Sequence, residues 1–67
     1  MVKTQLGKRI AKLRQAAGLT QEKLAEKSGY SVEFVSMVER GINAPSVEGC
    51  ERIAKAVRVP LKDLFDF

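Results

Sequence analysis

Hydrophobic positions in this chain recur at steps of three and four, the spacing that gathers side chains along one side of an α-helix. Leu6, Ile10, Leu13 and Ala17 form the first stripe and predict a helix from Thr4 to Ala17. Leu24 and Ala25 serve a shorter segment over Gln21–Ser28, and Val35 and Val38 a third over Val32–Arg40. Val47, Cys50, Ile53, Ala54 and Val57 mark a fourth over Val47–Val57. A last turn or two from Pro60 sets Leu61, Leu64 and Phe65 against the interior. No stretch alternates with a period of two over a useful length. The predicted class is all-α: five short helices, each too short to stand alone and held by packing.

The ends of these helices are also legible. Gly18, Gly29 and Gly41 each follow a helical stretch, where a residue without Cβ can enter the left-handed conformation and stop it. Thr20, Ser31 and Ser46 stand where a hydroxyl can cap the free N–H groups of the next helix. Leu19 with Leu24, and Tyr30 with Val35, occupy the two positions of a hydrophobic staple around the first two caps, while Lys23 takes the place where a capping box wants Glu or Gln. Gly7 and Gly49 interrupt helical stretches at a cost of about 1 kcal/mol each against alanine. Close approach of a neighbouring helix is the physical reason such glycines would need.

Composition narrows the function. Sixty-seven residues suit one domain, 1–67, and a chain of that size buries only about 60% of its unfolded surface, which leaves little room for a ligand pocket beside a catalytic centre. With 45% hydrophobic and 30% charged residues it belongs among folded globules. One cysteine and no histidine argue against a disulfide, a transition-metal site and a nucleophile–base pair, and no Gly-rich phosphate loop is present. Neither enzymatic activity nor a cofactor is expected. Cys50 lies on an apolar stripe and reads as a small buried hydrophobe. No apolar run approaches the roughly 18 residues of a membrane span, and Met1–Lys12 lacks a signal-peptide block, so the expected address is the cytoplasm.

The charge is one-sided. Twelve Lys and Arg oppose eight Asp and Glu, for a net +4, yet Met1–Thr20 holds five bases (Lys3, Lys8, Arg9, Lys12, Arg14) and no acid. A basic segment on a small domain of high isoelectric point is the footprint of a polyanion binder. The second and third helices are joined through Gly29-Tyr30-Ser31, short enough to turn the chain sharply, as in a helix-turn-helix whose second helix enters the DNA major groove. If Val35 and Val38 face inward, Glu33, Ser36, Met37 and Arg40 form the opposite stripe, with Val32 at its entrance. Glu33 could accept from a cytosine amino group, Ser36 could donate or accept, and Val32 or Met37 could press on a thymine methyl. Met37 is expected to point about 200° around the helix from Val35 and to be exposed. Phosphate candidates are Gln21, at a helix start, and Arg40, Asn43 and Ser46 around the next turn.

Leu13-Arg14, Ala17-Gly18-Leu19-Thr20-Gln21-Glu22-Lys23-Leu24-Ala25, Ser28-Gly29-Tyr30-Ser31, Val35-Ser36, Val38-Glu39-Arg40-Gly41, Pro45-Ser46 and Ile53-Ala54 with Val57 together resemble the phage repressor and Cro type of helix-turn-helix. The resemblance runs from Leu6 to Phe65. It implies a compact five-helix, lambda-repressor-like DNA-binding domain that acts as a symmetric dimer in transcription. It further implies base contacts from Val32, Glu33, Ser36 and Met37, phosphate contacts from Gln21, Arg40 and Asn43, and a partly buried structural ion pair between Arg14 and Glu39. Three positions depart from the family pattern. Met37 replaces a common Arg or other polar reader, Glu33 brings a negative charge into the groove, and Arg58 replaces a common Gly, which predicts an altered turn into Pro60.

The expected function is therefore that of a sequence-specific regulator on double-stranded DNA, dimeric because one reading helix touches only a few base pairs. Leu61, Phe65 and Phe67 offer the apolar surface for a homodimer contact. A restriction–modification controller, a prophage repressor, or an antitoxin with a toxin partner would fit these features. The alternative is a protein-interaction module of the same fold, docking through Phe34, Met37 and the C-terminal aromatics.

Overall fold

Hydroxyl caps and left-handed turns divide the chain into four α-helices, α1 (Val2–Ala16), α2 (Gln21–Ser28), α3 (Val32–Glu39) and α4 (Val47–Val57), followed by a 3-10 segment, Leu61–Phe65. This computed structural model describes residues 1–67. The Thr20, Ser31 and Ser46 hydroxyls accept from the N–H groups of Lys23, Phe34 and Gly49 at 3.0, 3.1 and 3.0 Å, so each anticipated cap closes its helix. Gly18, Gly29 and Gly41 all take positive φ. At Gly29 (φ 77°) the left-handed residue lets α2 stop on a bond from its own N–H to the Ala25 carbonyl and lets α3 start almost at once.

One apolar cluster holds these elements together: Leu6 and Ile10 from α1, Leu24 and Ala25 from α2, Val35 and Val38 from α3, Cys50, Ile53, Ala54 and Val57 from α4, and Leu64. The two unexplained glycines sit at its closest approaches. A Cβ on Gly7 would overlap the Val38 carbonyl oxygen, so α1 lies directly on the α3 backbone; a Cβ on Gly49 would overlap the Tyr30 ring and hydroxyl. Cys50 is 4% exposed, and burial pushes its thiol above the ordinary value, keeping it neutral and poorly nucleophilic.

Several expected details change. Helix α1 starts at Val2 rather than Thr4 and ends at Ala16, with Ala17 as an exposed cap outside the buried stripe. Helix α3 ends at Glu39, and Arg40 caps it. Val47 is 71% exposed, because the first residue of α4 projects beyond the core that Cys50 enters one turn later. The fifth helix is a single 3-10 stretch. Only Leu64 reaches the core; Leu61, eclipsed with it one turn earlier, and Phe65 stay at the surface. Arg58 makes the left-handed turn into Pro60 itself (φ 65°, ψ 43°), the backbone conformation that glycine adopts without strain.

Candidate nucleic-acid interface

Two sets of side chains fix α3. The first grips its C-terminal end. Arg14 Nε donates to Glu39 Oε2 at 2.6 Å and Arg14 Nη2 to Oε1 at 3.1 Å, while Nη1 donates to the Leu19 carbonyl at 2.8 Å. The side chains are only 13% and 7% exposed, so this forked pair works in a medium that screens it poorly. Gln21 Nε2 adds a bond to Glu39 Oε1 at 2.9 Å, tying the first residue of α2 to the last of α3. A carboxylate at a helix C-terminus opposes the dipole, and three donors from α1 and α2 offset that here.

The second set holds the turn. Arg52 Nε donates to the Ser28 carbonyl at 2.8 Å, and its guanidinium lies 5.2 Å from the centre of the Tyr30 ring. Tyr30 in turn stacks on Phe34 with centroids 4.5 Å apart. Helix α4 thus clamps the Gly29-Tyr30-Ser31 turn through Arg52 on one side and the bare backbone at Gly49 on the other.

Between these grips α3 turns Val35 and Val38 inward, each 2% exposed, and Glu33 and Arg40 into solvent. Ser36 is half-buried. Val32 is half-buried as well and packs against the core rather than standing free at the entrance. Met37 departs from the exposed position expected of it. The loop after α3 folds back, its Ile42 N–H donating to the Met37 carbonyl at 2.9 Å, and Asn43 Nδ2 reaches the Met37 sulfur at 3.6 Å. Met37 is consequently half-buried, its thioether held against Asn43. The Arg40 Nε rests on the Ser36 carbonyl at 3.4 Å with its guanidinium otherwise exposed. Ser46 is exposed and spends its acceptor on the α4 cap, which leaves its O–H free to donate.

The five bases ahead of α2 do not all remain available. Arg14 is engaged with Glu39, and Arg9 donates to the Asp63 carbonyl at 2.7 Å and lies 3.8 Å from Asp66. Lys3, Lys8 and Lys12 stay exposed. Phe34, needed for the protein-docking alternative, is half-buried under Tyr30. No group of three or more His, Cys, Asp or Glu side chains gathers to hold a metal ion, and no helix is long and apolar enough to cross a membrane.

A family profile described as helix-turn-helix matches residues 10–64, which takes in both grips and the whole of α2 and α3. The chain belongs to the helix-turn-helix family. An uncharacterised HTH-type transcriptional regulator of Mycobacterium tuberculosis is 41% identical over 59 residues, covering 88% of this chain; the chain spans 42% of that protein's length. The control protein C.BamHI of Bacillus amyloliquefaciens is 36% identical over 62 residues, 91% of this chain and 76% of that protein. Among solved structures, the restriction-modification controller protein C.AhdI of Aeromonas hydrophila superposes with a TM-score of 0.90 at 36% identity, over 94% of this chain and 96% of its own.

Within this helix-turn-helix, the Arg52–Tyr30 clamp had no periodic signature, because it joins residues far apart in sequence. Its one trace in the sequence is Gly49, a costly helix-interior glycine with no partner close in the chain. A second feature was equally hidden. Val2, Leu6, Ala44, Pro45, Val47, Cys50, Leu61 and Phe65 line an apolar groove between the start of α1, the start of α4 and the 3-10 segment. Two of the three expected dimer residues, Leu61 and Phe65, edge this groove; Phe67 lies apart, 52% exposed and tilted toward Phe65.

Proposed function

We propose that the chain is a sequence-specific double-stranded DNA-binding regulator of transcription that works as a homodimer with α3 in the major groove. The observation that carries this reading is the outward side of α3. Glu33 and Arg40 are exposed, with Ser36 and Met37 half-open between them, and the helix is locked at both ends by contacts that leave that side clear. In this reading Glu33 accepts from a cytosine amino group, Ser36 bonds a base edge, and the Met37 methyl with the open part of Val32 meets thymine methyls. Gln21, Arg40, Asn43 and Ser46 hold phosphates. Asn43 has a second task, since it fixes the Met37 sulfur. The Arg14–Glu39 pair sets the pitch of α3 and touches no DNA.

The relatives support the same use: one is an HTH-type transcriptional regulator, one a control protein and one a restriction-modification controller protein. A second copy docked through the apolar groove would bring two α3 helices to half-sites one turn, about 34 Å, apart. Selection of binders from a random duplex library followed by footprinting tests the whole reading. The expected outcome is a two-fold symmetric site occupied by two chains, with affinity falling linearly in log K against log salt. Absence of binding to any duplex at low salt would overturn it.

A further inference from the structure

The concavity where the C-terminal ends of α1, α2 and α4 meet is ringed by three cations and no carboxylate. Lys27 comes from the last turn of α2, Lys55 from the last turn of α4 and Arg58 from its cap, around a floor of Ala17, Leu19 and Ala56. None of the three cations has a salt-bridge partner, whereas Arg9, Arg14 and Lys23 all pair with acids. Arg58 is the one non-glycine residue at positive φ, a backbone that glycine would adopt without strain. Lys27 and Lys55 also face the negative ends of their own helices, but that role asks for no third cation on a strained backbone. No residue of α3, or of the loop after it, lines the concavity.

We propose that this concavity docks an acidic segment of a protein partner, with Asp or Glu side chains on Lys27, Lys55 and Arg58 and an aliphatic side chain on the Ala17-Leu19-Ala56 floor. Charge complementarity selects a polyanion, and the apolar floor selects a peptide over a phosphate backbone, which has nothing to cover it. The site is independent of the DNA-reading face, so a bound duplex leaves it accessible.

The test uses the full chain and a short fluorescent peptide of Asp and Glu with a central Leu, followed by anisotropy at low salt without DNA. Saturable binding is expected. Lys27→Gln with Lys55→Gln should weaken it about tenfold, the loss of two exposed charge pairs. Replacing the peptide's Leu by Ser should weaken it further. Arg58→Gly serves as the second variant: it should lower peptide affinity while thermal stability does not fall, an outcome that a purely structural role for Arg58 excludes. Peptide binding that is absent, or equal in the double variant, would overturn the proposal. So would a smaller salt slope for DNA binding in the double variant, which would assign these cations to phosphates. Since the peptide assay contains no duplex, its failure and a failure of the DNA reading are separate results.

Discussion

Glu33 and Glu39 lie on the same short helix, yet their surroundings assign them opposite roles. Glu39 is nearly enclosed and receives bonds from Arg14 and Gln21, so Glu39→Ala would strand the Arg14 guanidinium in a poorly hydrated site. The expected loss is about 3–5 kcal/mol, a large part of what a chain of this size holds, and urea denaturation would report it as a collapse of the folded baseline. Glu33 is exposed in the first turn of α3, so Glu33→Ala costs only the helix-dipole contribution, about 0.3–1 kcal/mol. The same change removes a negative charge from the proposed DNA face. Affinity for mixed-sequence duplex should rise while preference among selected sites declines, both read by competition binding. A Glu33→Ala variant that melts would invert the assigned orientation of α3. Arg58 supplies the opposite kind of change. Its left-handed backbone is disfavoured for any residue with a Cβ by about 1–2 kcal/mol, so Arg58→Gly, even after the entropy glycine adds to the unfolded chain, should raise stability by about 0.5–1 kcal/mol in thermal melts.

The helices themselves were readable because each carries a local signal: a hydroxyl that caps, an apolar pair or stripe, a glycine that ends it. Thr20, Ser31 and Ser46 needed no tertiary information to be found, and their bonds form within three residues. Contacts between elements were not readable in that way. The sequence pattern marks Gly7 as an anomaly but does not say that the Val38 carbonyl lies where its Cβ would be. Met37 shows the same limit in reverse, since helical geometry alone points it outward and only the returning loop, through Asn43, covers it. Gly7→Ala therefore separates the local and tertiary influences. Helix propensity favours alanine by about 1 kcal/mol, whereas pushing α1 off the α3 backbone costs about 1–3 kcal/mol or more, because a carbonyl cannot move as a side-chain tip can. A net destabilisation is expected in denaturant titration, and with α3 displaced, a loss of DNA affinity larger than the stability change alone explains.

For the molecule as a whole, a small core leaves a surplus of apolar surface, and its location is informative. Val2, Val47, Leu61 and Phe65 are 64%, 71%, 36% and 46% exposed, and all four line one groove whose floor is the core residues Leu6 and Cys50. The sequence pattern marks the C-terminal half of this surface, but it leaves Val2 ahead of the first helix and sets Val47 on the core stripe. The groove also includes Ala44 and Pro45, which end the loop that follows α3. A second copy seated there would lie beside α3, and a two-fold axis would hold the two α3 helices at the same height along it. Leu61 and Phe65 are exposed, so Leu61→Lys with Phe65→Lys should leave the helical signal and the single-chain fold intact. In the proposed dimer, two like charges per chain set against their symmetry copies without water should abolish pairing, read by sedimentation as monomer where the parent chain is expected as dimer. Half-site affinity should survive in that variant, while affinity for the full two-fold site should drop by about 10²–10⁴-fold, the avidity that a second linked contact confers. A variant that stays dimeric and keeps its full-site affinity would move the pairing surface elsewhere on the molecule, without affecting the reading of α3.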